Sequence, residues 1–482
     1  ILLGCKSGNA LTAGQYNVLI GENAGLLETD SQNVYIGRNA GKCATSGEDN
    51  VFLGTTAGRG NATSGVTGED NIALGSGPLS NLSSGSFNVA LGNFAGYEYT
   101  TATHSISIGC KAAYCRRTGN NNIAIGEKAL CGSNTVGDNT GAGNIAIGKD
   151  AGCETTSGSN NFFGGYSAGG CNATGSYNVL FGLAAGKTAT SGNYRVFLGN
   201  LAGDRATGTD GIFIGSYTGR CNTGTYNIAI GRNALTGSST PGDNTGLKNI
   251  AIGCDAGLDL TTGSCNVLMG TRAGYNLTTA SDNIAIGRVA LGTGVVTGAN
   301  NIAIGNVAGQ SGTSGTNNIM LGCNAATGGT ITGSWNTAIG DNSMYALTGG
   351  FNNIAIGQVA AKALQTGSGN VILGVAAACK LSSGSFNIAI GCYTCLPIDN
   401  GSNQMALGCG VCSWIRGNAN WHVGIGTTNP DTAVGVGNTA KLSVGIVSAY
   451  QLYGDGSNLS NVGFSPDDEG NLVAGTLAGT NK

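Results

Sequence analysis

Asn144-Ile145-Ala146-Ile147-Gly148-Lys149-Asp150-Ala151-Gly152 is one copy of a unit that runs through almost the whole chain. The unit reads Asn-Ile-Ala-Ile-Gly-x-x-Ala-Gly, then a Thr/Ser/Gly-rich turn, then the next Asn. Its central glycines run from Gly4, Gly21, Gly37 and Gly54 through Gly148 to Gly374, Gly391 and Gly408, 24 copies in all. The 23 spacings between them range from 16 to 22 residues, and 17 is the commonest. A fixed period of this size marks stacked supersecondary units, each leaning on its neighbours.

Counting from that glycine as position zero, position −3 is Ile or Val almost throughout and −1 is Ile or Leu. Two residues apart, they share one face of a strand. Position −2 is usually Ala, otherwise a larger apolar residue or Ser, so the strand is apolar on both faces, as suits burial on both sides. Recurrent Gly and β-branched residues at spacing two argue against a helix. Each unit is expected to form a short strand, a Gly bend, a second short strand around Ala-Gly, and a turn. Turn segments such as Thr45-Ser46-Gly47, Thr156-Ser157-Gly158 and Thr262-Gly263 carry residues that tolerate tight backbone. The fold class is therefore all-β, a parallel β-roll or β-solenoid of about 24 coils with a 17-residue period. One coil buries too little to offset the entropy of ordering it, so stacking is obligatory. The second apolar face needs a partner, and three chains around an axis, a homotrimeric rod, would supply one.

Composition fits a rod. Glycine is 88 of 482 residues with only 5 prolines and no Gly-X-Y period, which excludes collagen. An apolar content of 40% is too high for a disordered linker. A net charge of −3 with 10% charged residues offers no bulk attraction to nucleic acid or anionic membrane. No apolar run is long enough to span a membrane, so no membrane insertion is expected in this segment. Residues 1–412 read as the repeat shaft, 413–470 as a non-repeat junction, and 471–482 as the start of a further array. Both ends fall inside the pattern, and the chain is expected to continue beyond them.

Position −4 is Asn in 19 of the 23 units that show it; Ser105, Arg195, Gly211 and Gln404 are the exceptions. Asn17, Asn33, Asn50, Asn144, Asn178, Asn249, Asn301 and Asn353 are expected to form a structural ladder between coils. Three long intervals, Gly54–Gly75, Gly126–Gly148 and Gly231–Gly253, should bulge as surface loops, where binding can reside. Asn61, Asn81, Asn172, Asn276 and Asn458 head Asn-x-Ser/Thr sequons.

The 16 cysteines keep register, and Cys115, Cys131, Cys153 and Cys171 fall in four consecutive coils. Stacked coils bring such residues within disulfide reach, which makes these four the leading disulfide candidates. Cys392-x-x-Cys395 with Cys409-x-x-Cys412 matches a zinc-ribbon spacing, but the 17-residue offset is the repeat period itself. Repeat geometry accounts for the pattern, and the four are grouped with the disulfide candidates. No catalytic, cofactor or metal constellation appears among the two histidines and the repeat glycines, so no enzyme and no cofactor are expected.

The Asn-Ile-Ala-Ile-Gly-x-x-Ala-Gly array resembles the β-roll heads of trimeric autotransporter adhesins and the repetitive tail fibres and appendages of phages and large algal viruses. His422-Val423-Gly424-Ile425-Gly426-Thr427-Thr428-Asn429-Pro430 and Leu452-Tyr453-Gly454-Asp455-Gly456-Ser457-Asn458-Leu459-Ser460 are similar to junction elements of phage fibres. The resemblance implies a homotrimeric viral fibre, or a longer filament, on a virion or cell surface, reaching toward a host receptor or glycan. A bacterial surface adhesin or extracellular filament is the alternative, and an ice-binding solenoid a third.

Overall fold

Each unit's Val/Ile-x-Ile/Leu triplet forms one short strand, from Leu2–Leu3 and Val18–Ile20 to Ile388–Ile390 and Met405–Cys409. In a computed structural model these 24 strands stack in sequence order into one parallel sheet of about 23 turns, with no helix among the described residues. The structure describes residues 1–61, 65–133, 139–237, 244–410, 412–420, 422–425 and 442–444, without the side chains of 412 and 442–444. Register is strict: Ile145, Ala146 and Ile147 pair with Phe162, Phe163 and Gly164. At about 4.8 Å per strand the stack is about 110 Å long.

The core is not where the triplet suggests. The residue at −2 alone points inward, and Leu19, Tyr35, Phe52, Ala73, Ala146 and Phe197 are all fully buried. The flanking residues at −3 and −1 face outward and are only half covered. The period-2 geometry allows either face to be inside. The inner one is set by the rest of the coil, where an Ala at +3 closes against it; Ala24, Ala40, Ala151 and Ala202 are buried.

The second strand expected around Ala-Gly is replaced by a run of turns. Residues at +2 and +4 adopt left-handed backbone, as Asn23 (φ 54°) and Gly25 (φ 57°) do, which no extended strand permits. Their N–H groups bond to different coils, Asn23 to the Cys5 carbonyl and Gly25 to the Ala40 carbonyl, both at 2.9 Å. The central glycine is required by contact: a Cβ on Gly148 (φ 132°) would meet the Gly165 carbonyl oxygen of the next coil at 2.7 Å.

Core volume is shared between −2 and +4. Where −2 is aromatic, +4 is glycine, and a Cβ on Gly58 or Gly203 would strike Phe52 or Phe197 at 2.3 Å. Where −2 is Ala, +4 is often large, as in Ala73 with Leu79, Ala124 with Leu130 and Ala229 with Leu235, all buried. Phe197 and Phe213 stack at 4.8 Å between adjacent coils.

The parallel stack ends at Met405–Cys409, which pairs antiparallel with Cys412–Gly417, and that strand pairs antiparallel with Val423–Ile425. Most of the 413–470 junction and all of 471–482 lie outside the described residues. So do the tips of the three long inserts, residues 62–64, 134–138 and 238–243.

Candidate interaction face

Outward orientation of −3 and −1 lays a two-residue-wide apolar strip along the whole stack. Ile147 is 45% exposed, Phe181 55%, Ile356 40% and Ile390 40%. No residue at either position carries a charge. At about 110 Å by about 7 Å, the strip covers roughly 750 Å² in projection. That exceeds the roughly 300–600 Å² of the largest patch on an ordinary monomer. Along one edge, at position −5, stand exposed aromatic rings including Tyr16, Tyr194, Tyr226 and Trp335, interleaved with polar residues. Tyr177 and Tyr194 stack there at 5.1 Å with a 6° interplanar angle.

Asparagines at −4 turn inward at the start of each strand. The backbone N–H of Asn33 donates to Asn17 Oδ1, and that of Asn50 to Asn33 Oδ1, both at 2.9 Å. Asn144, Asn178, Asn249, Asn301 and Asn353 each donate likewise to the Oδ1 of the preceding coil's Asn, at 2.8–3.2 Å. Their side-chain Nδ2 groups donate to a turn carbonyl of the next coil, for instance Asn144 to Gly158 and Asn353 to Gly367. Each amide oxygen and nitrogen of these buried side chains thereby has a partner within the fold, as a structural ladder requires.

Arg195 takes the asparagine's place without breaking the stack. Its backbone N–H and Nε both donate to Asn178 Oδ1, and its terminal nitrogens to the Ala206 carbonyl and Asn172 Oδ1. The next unit has Gly211 at −4, so no second side chain competes for the space. Burial lowers the Arg195 pKa to about 10, so the guanidinium stays charged at neutral pH. Arg116 is fully buried and donates to the Gly141 and Thr155 carbonyls, also with its pKa lowered to about 10 by burial. Asn172, a sequon residue, is buried in this network.

The structure does not bear out a disulfide among the expected cysteines. Cys115, Cys131, Cys153, Cys171, Cys392, Cys395 and Cys409 all carry thiols, and no disulfide joins any two of the described cysteines. Stacking does bring the first set together: Cys115 N–H donates to the Cys131 carbonyl at 2.8 Å, and Gly132 N–H to the Cys153 carbonyl at 2.7 Å. Cys115 is turned into the core, whereas Cys131, Cys153 and Cys171 are half-exposed. Cys409 and Cys412 sit opposite each other in the terminal hairpin, where the Cys412 side chain is outside the described residues. Among the described residues no three His, Cys, Asp or Glu side chains are placed to hold a metal.

No family model, curated protein or solved structure matches the chain.

Proposed function

We propose that this chain is the shaft of a trimeric fibre on the outside of a virus particle, which extends an attachment device toward a host surface. The observation that carries the reading is the uninterrupted, uncharged apolar strip. A surface of that length and 17-residue repeat is matched in full by another copy of the same chain. Two such faces in contact bury about 1,500 Å², the size of a stable protein–protein interface. The choice of three copies rather than two follows the resemblance to trimeric fibres. In this role the shaft contributes reach and stiffness, and contact with a receptor or glycan falls to elements outside the regular coils.

Light scattering on the native protein tests the reading. A mass of about three times 47.6 kDa supports it, and a monomer of 47.6 kDa at micromolar concentration overturns it.

A further inference from the structure

Cys131 and Cys153 stand on adjacent coils whose backbones bond to each other at that point, Gly132 N–H to the Cys153 carbonyl at 2.7 Å. They occupy the same repeat position, five residues after Gly126 and Gly148 respectively. Both line one open groove of about 860 Å³, together with Lys111, Lys128, Tyr114 and Glu154. We infer that Cys131 and Cys153 form a reversible redox staple, with Cys131 as the attacking thiol and Cys153 as the resolving one. The inference is independent of the fibre reading, since it needs only the stacking of two coils.

Lys111 and Lys128 line the groove beside the pair, and Glu154 directly follows Cys153. Interaction with Cys153 lowers the Cys131 pKa; burial and Cys115 oppose this, and Lys128 and Lys111 add to it. Interaction with Cys131, with burial, raises the Cys153 pKa. Thiolate is the reactive form, so Cys131 is the sulfur poised to react first. Cys171, on the next coil, is held up at about 11 by burial and by Glu154. Cys115 is buried and lines no part of the groove.

The oxidant is a small-molecule disulfide such as oxidised glutathione. Cys131 thiolate attacks one of its sulfurs, forming a mixed disulfide and releasing one glutathione thiolate. Cys153 loses its proton to solvent and attacks the Cys131 sulfur, expelling the second glutathione. The protein has given up two electrons and two protons, and one disulfide has been reduced to two thiols. The product closes a covalent ring around the whole coil that carries the Gly126–Gly148 insert, which removes one route by which that coil can open.

The test equilibrates the full chain in glutathione buffers of increasing oxidising strength, quenches with acid, blocks remaining thiols and maps peptides by mass spectrometry. Expected is a Cys131–Cys153 cross-link that forms about tenfold or more faster than any other pair, as proximity dictates. In Cys153→Ser, Cys131 should accumulate as the glutathione adduct. In Cys131→Ser, Cys153 should remain unmodified over the same interval. Preferential linkage of Cys131 to Cys115, or glutathione adducts at Cys153 without a cross-link in the unsubstituted chain, would overturn the inference.

Discussion

Asn161 donates both its backbone N–H and its side-chain Nδ2 to the single Oδ1 of Asn144, at 3.0 and 2.9 Å. One carbonyl oxygen thus ties two coils twice, while Asn144 Nδ2 reaches the Gly158 carbonyl at 2.9 Å. Asn144→Asp keeps the acceptor but faces a second acceptor at Gly158, in a fully buried site. Asn144→Ala orphans the Asn161 backbone N–H and the Gly158 carbonyl, while Asn161 Nδ2 keeps the Gly175 carbonyl at 2.8 Å. Each buried unsatisfied group costs about 1–3 kcal/mol. Because solenoid stability is assembled from nearest-neighbour terms, the damage should be local. Hydrogen exchange should accelerate at Asn161 and its flanking coils, and stay unchanged at Asn353. Uniform acceleration along the chain would contradict a nearest-neighbour ladder.

The exchange of volume between −2 and +4 predicts a rescue. Phe197→Ala should cost about 3–5 kcal/mol, the range for deleting a buried aromatic ring. Gly203→Leu alone should also destabilise, since even a Cβ there meets Phe197 at 2.3 Å. The double substitution recreates the arrangement of Ala124 with Leu130, whose Leu already accepts φ 47°. It should recover a large part of either loss, a coupling of about 1–3 kcal/mol in a double-mutant cycle read by urea denaturation. Additive effects would mean that the two positions do not share one cavity.

Glu28 predicts a pH dependence. Its carboxyl is buried, accepting from the Asp30 N–H at 2.8 Å and the Tyr35 hydroxyl at 3.0 Å. Burial raises its pKa above 4.5, and those two hydrogen bonds only partly oppose the rise. A raised acid pKa means the fold binds the proton more tightly than the unfolded chain. The associated stability is complete below pH 4.5 and is lost as pH climbs through the folded value. Glu28→Gln removes that titration, so the urea midpoint of the native chain should fall relative to the variant across this window. A constant difference between the two proteins would exclude Glu28 as the source.

Much of the architecture was legible in Asn144–Gly152 because strand geometry and repeat period leave few alternatives once Ile, Ile and Gly recur at fixed offsets. Which face turned inward was not. Ile145 and Ile147 are the larger apolar pair, yet Ala146 is the buried residue. A column that alternates Ala with Phe looks less core-like than one of constant Ile. The signal lay in pairs: Tyr35 with Gly41 and Phe52 with Gly58, against Ala73 with Leu79 and Ala124 with Leu130. Large side chains that exclude each other across two positions are the mark of a shared interior. The missed turn at Ala-Gly has a similar origin, since left-handed backbone at Lys128 and Val289 is a choice of stacked hydrogen bonding that neither residue advertises. The four-cysteine register, by contrast, foretold which coils bring cysteines side by side and not which sulfurs are joined, because spacing constrains where sulfurs lie and not their oxidation state.

The outward apolar strip makes the sharpest claim on assembly. Ile147, Phe181, Ile304 and Ile356 all occupy position −1, are at least 39% exposed, and are spread along the stack. Replacing the four with Lys leaves the interior column at −2 untouched, so each chain should keep its circular dichroism spectrum. In any arrangement that buries the strips against each other, the four ammonium groups would be desolvated opposite apolar side chains or their own copies, which costs several kcal/mol per buried, unpaired charge. The native mass should therefore drop from about three times 47.6 kDa to a single chain. High salt should not restore the oligomer, because screening relieves repulsion between charges and not their loss of water. An oligomer that survives the four lysines would place its interface elsewhere, with the aromatic edge at Tyr177 and Tyr194 the next surface to substitute.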